Sequence, residues 1–424
     1  MARILIYAMN YAPEVAGVGR YTGDIGESFL EAGHEVAVVT TLPHYPGWKV
    51  QSPYRNWRWR RERRDKLTIE RCPLVLRERM GGLWRLIAPL SFAITSAPVA
   101  IWRALRFRPD VILCIEPTLM VAPVALVMAR LIGAKAALHV QDLEVDAAFA
   151  VGHLARKAWL MKLGLTFERL LLRRFEQIVT ISNAMAERLA RKGVDVDRIV
   201  VVRNWVDLDA IRPLDRVSRY RAELGIAASD CVVLYSGSVG AKQGLEALIE
   251  AAERLAGRAD IRFVIAGEGP AKAALVARAG AAANVRFLPF QPYERLSEFL
   301  GLADLHVLPQ MADAADLVLP SKLAAMLASG RRVIVTADED TELASFVAGV
   351  AIRTPPGDVA ALAAAIEREA NRRGEGASGV RARRRLAERL SRTESLWAFA
   401  EATVRRQAFD EARELPAPSE QVAG

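Results

Sequence analysis

The stretch Val232-Val-Leu-Tyr-Ser-Gly237-Ser-Val-Gly-Ala-Lys-Gln-Gly244, running into Leu245–Ala256, joins an apolar run, a glycine-rich turn and an amphipathic helical pattern. That order is the repeating unit of a parallel sheet covered by helices on both faces. It recurs downstream, with strands expected at Arg262–Ala266, Asn284–Leu288, Leu305–Leu308 and Arg332–Thr336. Upstream, strands are expected at Ile4–Ala8, Glu35–Thr40, Leu67–Arg71, Val111–Ile115, Ala136–Val140, Ile178–Ile181 and Ile199–Val202. Arg203–Asp215 interrupts the alternation, holds Pro213 and reads as a linker. The fold class is therefore α/β, with two Rossmann-like domains facing across a cleft. Residues 1–205 form the first and 206–375 the second; a helical segment at 376–412 returns to the first, and 413–424 is a disordered tail. Open sheets of this kind bind ligands at the carboxyl ends of their strands.

The 424 residues are 52% apolar and 25% charged, enough for a core and unlike a disordered or fibrous chain. Lys plus Arg exceeds Asp plus Glu by 58 − 49 = +9, which favours an anionic partner. No nucleic-acid recognition motif accompanies that charge, so nucleic acid is not expected. Cys72, Cys114 and Cys231 lie in or beside apolar runs and fit neither a disulfide framework nor a metal site; buried, reduced thiols in a cytoplasmic compartment are expected. The N-terminus reads as a strand, not a signal peptide. Leu86–Trp102 is apolar but short of a bilayer span and interrupted by Pro89 and Pro98.

Four strand-to-helix loops have the makings of an anion site. They are Ala16-Gly-Val-Gly-Arg20, Gly237-Ser-Val-Gly-Ala-Lys-Gln-Gly244, Gly267-Glu-Gly-Pro270 and Leu319-Pro-Ser-Lys-Leu323. Glycines let backbone N–H groups approach a phosphate, and a helix N-terminus adds partial positive charge. Lys242 and Lys322 add full charges. No GxxxxGK[ST] loop is present, and the first strand-to-helix turn lacks GxGxxG, which counts against a P-loop nucleotidase and a dehydrogenase.

These loops, with Tyr11-Ala-Pro-Glu14, Ala32-Gly-His-Glu-Val36, Thr180-Ile-Ser-Asn-Ala-Met185 and Asn204-Trp-Val-Asp207, resemble glycosyltransferase family 4 in the same order. Pro43-His-Tyr-Pro46, Trp48 and His139-Val-Gln-Asp-Leu-Glu-Val-Asp146 resemble more closely the colanic-acid glycosyltransferases of the WcaI type. The resemblance implies the GT-B fold, a nucleoside-diphosphate sugar donor, transfer of a hexose (fucose among the candidates) with retention, and no metal or other cofactor. It implies catalytic roles for His139 beside the transferred sugar and for Lys242 and Lys322 on the diphosphate. Substrate contacts fall to Gly17, Gly19, Arg20, His44, Asp142, Ser238, Gly240, Gly267, Glu268, Gly269, Asp316 and Ser321. Aligned on Gly330, the family's two glutamates would fall at Leu317 and Ala325, and its phosphate-binding arginine at Ser238; none of the three is preserved. Asp313 and Asp316 are the nearest carboxylates, and Asp316 is the candidate replacement. Alternatives are a nucleotide-sugar epimerase of the same architecture and a catalytically weakened nucleotide-sugar-binding protein.

The resemblance also implies a lipid-linked glycan acceptor in exopolysaccharide biosynthesis. Arg55-Asn-Trp-Arg-Trp-Arg-Arg-Glu-Arg-Arg-Asp-Lys66 interleaves arginines with two tryptophans beside the apolar segment Leu83–Leu105. Such a patch suits an anionic membrane surface, so peripheral attachment to the inner face of the cell membrane is expected.

Overall fold

The computed structural model describes residues 1–14, 17–45, 47–77, 84–143, 158–311, 319–372 and 377–404. The first sheet has eight strands: β1 (Arg3–Tyr7), β2 (Glu35–Thr41), β3 (Arg60–Arg64), β4 (Leu67–Cys72), β5 (Val111–Glu116), β6 (Lys135–Val140), β7 (Gln177–Thr180) and β8 (Ile199–Val201), in spatial order β3-β4-β2-β1-β5-β6-β7-β8. The second has six: β9 (Cys231–Ser236), β10 (Ile261–Ala266), β11 (Val285–Leu288), β12 (Leu305–Leu308), β13 (Arg332–Thr336) and β14 (Ile352–Thr354), in order β11-β10-β9-β12-β13-β14. All pairings are parallel except β3 with β4.

Sheet connectivity puts the helices on two faces. On one face of the first sheet lie α2 (Trp84–Phe107), α3 (Ala122–Ile132), α4 (Ala158–Leu172) and α5 (Asn183–Arg191). They cover a core that includes Phe92, Met128, Leu172 and Leu189. The opposite face packs against α1 (Val18–Glu31), which buries Tyr21, Ile25 and Phe29 at helical spacing. Burying one such side chain contributes about 1.5–3 kcal/mol. The second sheet carries α6 (Leu245–Arg254), α7 (Lys272–Ala279), α8 (Ser321–Ala328), α9 (Glu342–Phe346), α10 (Val359–Asn371) and α11 (Ala377–Glu388). Finally α12 (Arg392–Val404) packs on α1 and places Phe399 in the core of the first half. The two crossing segments touch, since Val206 bridges Ser391.

Three local readings need correction. β3 was not expected: Arg-Arg-Glu-Arg-Arg has no apolar alternation, and only its antiparallel neighbour makes it a strand. Arg61 pairs with Glu70 directly opposite (2.7 Å), and Arg71 reaches Glu62 (2.9 Å). β14 was likewise missed. The segment after Arg203 is irregular but not a free linker, because Trp205 is buried and its indole N–H donates to Asp24 (2.8 Å). All three cysteines are buried free thiols, as expected. The tail at 413–424 lies outside the described residues.

Candidate active site

The two sheets present the carboxyl ends of β1, β2, β9 and β10 and the start of α8 to a shared cleft. Contacts cross it. Tyr21 of α1 lies beside Ser321 of α8. The Arg20 guanidinium lies 5.0 Å from the Tyr293 ring centroid. Glu342, at the start of α9, accepts from the backbone N–H of Asn183 (2.9 Å) and Ala184 (3.3 Å) at the start of α5 and pairs with Arg203 (2.7 Å). A carboxylate of one half thus caps a helix of the other.

In the second half two glycine loops interlock. Gly237 N–H donates to Ala266 O (2.9 Å) and Val239 N–H to Glu268 O (2.9 Å). A Cβ on Gly267 would come within 1.8 Å of Gly237 O, one on Gly269 within 2.1 Å of Val239 O, and one on Gly237 within 2.3 Å of the Lys322 stem. Gly267 and Gly269 are required by loop-on-loop contact, and Gly237 leaves room for the Lys322 stem. Gly240 also spends its N–H internally, on Gln243 Oε1 (2.9 Å), so it offers a ligand no donor, contrary to its expected role. Glu268 is ion-paired with Lys272 (2.7 Å).

Lysines supply the charge here. Lys242 sits exposed in a 3₁₀ turn, and its ammonium meets no acceptor among the described residues. Lys322, in the first turn of α8, donates to the Tyr235 hydroxyl and to Ser238 O (3.4 Å). Burial lowers its pKa to about 7. The Tyr235 hydroxyl in turn donates to Ser238 O (2.6 Å). Ser238 therefore contributes a carbonyl to this knot in place of an arginine. Ser321 is exposed beside Lys322 at a helix start with no side-chain cap. Ala325 lies inside α8, confirming no carboxylate there; Leu317, Asp313 and Asp316 lie outside the described residues.

The first half is arranged differently. Glu14 is buried and accepts from the backbone N–H of His44 and Tyr45 (2.9 Å each) and from Asn10 (2.8 Å). A Cβ on Gly19 would lie 2.4 Å from the Glu14 carboxylate, and one on Gly17 would lie 2.9 Å from the Tyr45 ring. Gly17 and Gly19 thus let the β1–α1 loop close onto the segment after β2. His44 is sealed in this knot, its Nδ1 2.9 Å from Leu42 O.

His139 presents no surface to the cleft. It lies within β6 with no exposed surface, its ring 4.8 Å edge-on from that of Phe399. Neither ring nitrogen has a partner among the described residues, and burial lowers its pKa to about 3. Strand alternation explains this: Val140 faces the α2–α5 side while His139 faces α12. Asp142 lies half-buried just past β6; Glu144 and Asp146 are outside the described residues. Glu14, Tyr21, Tyr235, Tyr293 and Glu342 were not singled out as site residues from sequence. Glu14 and Tyr235 stand inside motifs that could have pointed to them; Glu342 carries no local signal.

Two sheets of this topology, meeting at a cleft lined by strand-end loops, define the GT-B fold. The solved structures agree on the fold. Sucrose-phosphate synthase from Thermosynechococcus elongatus superposes with a TM-score of 0.72 at 16% identity, covering 95% of this chain and 98% of that one. HepE of Anabaena in complex with UDP-glucose gives 0.67 at 16% identity, covering 95% and 99%. WaaG, a glycosyltransferase involved in lipopolysaccharide biosynthesis, gives 0.65 at 15% identity, covering 95% and 99%.

Residues 16–205 match the glycosyl transferase 4-like domain and residues 230–371 the glycosyl transferases group 1 domain. The protein named as colanic acid biosynthesis glycosyl transferase WcaI in Escherichia coli K12 is 39% identical over 375 residues, covering 86% of this chain and 91% of that one. The chain belongs to this family of glycosyltransferases and is related to WcaI.

Proposed function

We propose that the enzyme moves a hexose, with retention, from a nucleoside-diphosphate sugar to a lipid-linked glycan in the biosynthesis of a colanic-acid-like exopolysaccharide, at the cytoplasmic face of the membrane. The observation that carries this reading is that two lysines stand at one glycine-loop knot, Lys242 with no counter-ion among the described residues and Lys322 held against a hydroxyl and a carbonyl. Breaking the anomeric C–O bond leaves negative charge on the diphosphate. Cations held in advance at that point lower the barrier. The acceptor oxygen bonds to the anomeric carbon on the face the diphosphate leaves, and its proton passes to the departing phosphate oxygen, so no protein nucleophile is required. Lys242, Lys322 and the start of α8 supply the positive charge, and no metal or other cofactor is called for. The name of the WcaI relative and the UDP-glucose in HepE support the polysaccharide and donor classes. GDP- and UDP-hexoses, GDP-fucose among them, form the donor panel.

The test incubates the enzyme with that panel, with and without polyprenyl-diphosphate-linked sugar. Acceptor-dependent release of nucleoside diphosphate, unchanged by EDTA, is the expected result. Loss in EDTA restored by Mg²⁺ or Mn²⁺ would refute the metal-free mechanism, and an altered free sugar without glycan product would refute transfer.

A further inference from the structure

Helices α2, α3 and α4 all cover the same face of the first sheet, and all three turn large apolar side chains outward. On α2 these are Leu90, Ile94, Ile101 and Leu105; on α3, Val127 and Leu131; on α4, Leu163, Phe167 and Leu170. Their exposures run from 39% at Phe167 to 74% at Leu131. The spacings of three, four and seven place each set along one stripe of its helix. The inner faces are fully used, with Phe92, Ala100, Met128 and Leu172 in the core. A soluble protein rarely leaves so much contiguous apolar surface without a partner.

The charges on these helices are one-sided. Across Trp84–Phe107, Ala122–Ile132 and Ala158–Leu172 the sole acidic residue is Glu168, and it is buried against Lys192. Arg106, Arg130, Lys162 and Arg169 are exposed. The arginine-rich edge continues this surface. The Trp59 indole N–H donates to Thr95 O of α2 (3.2 Å), and the Arg61, Arg103 and Arg106 guanidinium groups lie 4.8, 5.0 and 5.6 Å from the Trp102 ring centroid. Trp57 and Trp59 project beside them, 82% and 57% exposed.

We propose that the outer face of the α2–α3–α4 layer, with the Trp57–Trp59 edge, is a membrane-docking surface that lies flat on anionic lipid. Apolar side chains enter the acyl boundary, tryptophans sit at headgroup level, and arginines meet the phosphates. A second copy of the chain is a poorer occupant, because a symmetric pairing would set this cationic surface against itself. α2 is long and apolar enough to cross a membrane by length and composition. Its inner stripe is built into the sheet core, however, which makes the attachment peripheral. The proposal extends the reading above by naming the surface that brings the enzyme to a lipid-linked acceptor.

The test is flotation of the full chain with vesicles of phosphatidylethanolamine and phosphatidylglycerol, and with phosphatidylcholine alone, at low and high salt. Wild type is expected to float with the anionic vesicles and to lose most binding in high salt or on phosphatidylcholine. Two variants, Ile94→Glu with Ile101→Glu and Leu163→Glu with Phe167→Glu, change exposed side chains only. Each is expected to lower lipid binding at least tenfold while melting temperature and nucleotide binding stay at wild-type values. Wild type that stays unbound in every vesicle, or α4 variants that float as wild type does, overturns the proposal. So does a solution dimer that the same glutamates dissociate in a chain that binds no lipid. If the chain floats but transfers no sugar, the surface stands and the proposed transfer falls.

Discussion

The two halves of the cleft handle charge in opposite ways. In the first half Glu14 takes the N–H groups of His44 and Tyr45, while His139 is neutral and sealed, with neither ring nitrogen partnered among the described residues. In the second half two lysines lack a carboxylate partner among the described residues, Lys242 in solvent and Lys322 against a hydroxyl and a carbonyl. Burial of the first-half groups leaves a wall of low charge. On the function proposed above, the two lysines form the site whose charge a diphosphate completes.

Removing either lysine should break this contrast most severely. Lys242→Ala and Lys322→Met are each expected to raise the transfer barrier by about 3–4 kcal/mol, a 10²–10³-fold loss of kcat/KM, by analogy with a lost oxyanion donor. Steady-state kinetics on protein with a wild-type melting curve checks it. Lys322 adds a pH signature. Its folded pKa of about 7 lies below the ordinary value of 10.5, so the unfolded chain holds more protons between those limits. Its contribution to stability therefore rises with pH across that window and is lost as pH falls through 7. Nucleoside-diphosphate binding should run the other way, weakening above pH 7 and taking up a proton, which calorimetry in buffers of different ionisation enthalpy measures. Lys322→Met should abolish both trends.

Smaller effects sharpen the comparison through the backbone. Gly267→Ala drives a methyl group against a carbonyl 1.8 Å away, and overpacking of this order costs about 2–3 kcal/mol. Denaturant unfolding should show the loss, together with weakened nucleotide binding. Glu14→Gln keeps shape but removes charge from several hydrogen bonds; about 1–2 kcal/mol of stability should go, with nucleotide affinity unchanged. If nucleotide affinity falls as much as for Lys242→Ala, the two halves do not divide the work as described. Gly349→Ala, at φ +73° in open space, should cost only about 1 kcal/mol and leave activity intact.

The alternation of apolar strands and helices was legible because each strand is buried on both faces, which forces a continuous apolar run. The twelve expected strands all form, within a residue or two at their ends. The placement of Lys242 and Lys322 at strand-to-helix turns was legible too, because glycine and proline mark such turns. β3 was not: five charged residues become a strand only when β4 supplies their hydrogen bonds and counter-charges. His139 was misplaced because a motif marks a position along a strand, whereas the pleat and the returning α12 decide which face it occupies. Glu342 could not be read at all, since its partners at Asn183, Ala184 and Arg203 lie far away in the chain.

Sequence by itself determined the two α/β halves, the strand-end loops and the residue types offered to the cleft, since these depend on local periodicity and turn chemistry. Tertiary structure alone decided which of those groups keep a free charge or donor and which are used up. Burial and partner geometry depend on contacts between distant segments. That is why Gly240 and His139 turned inward while Lys242 and Lys322 have no carboxylate partner among the described residues, and why three separate helices came to share one apolar, cationic face.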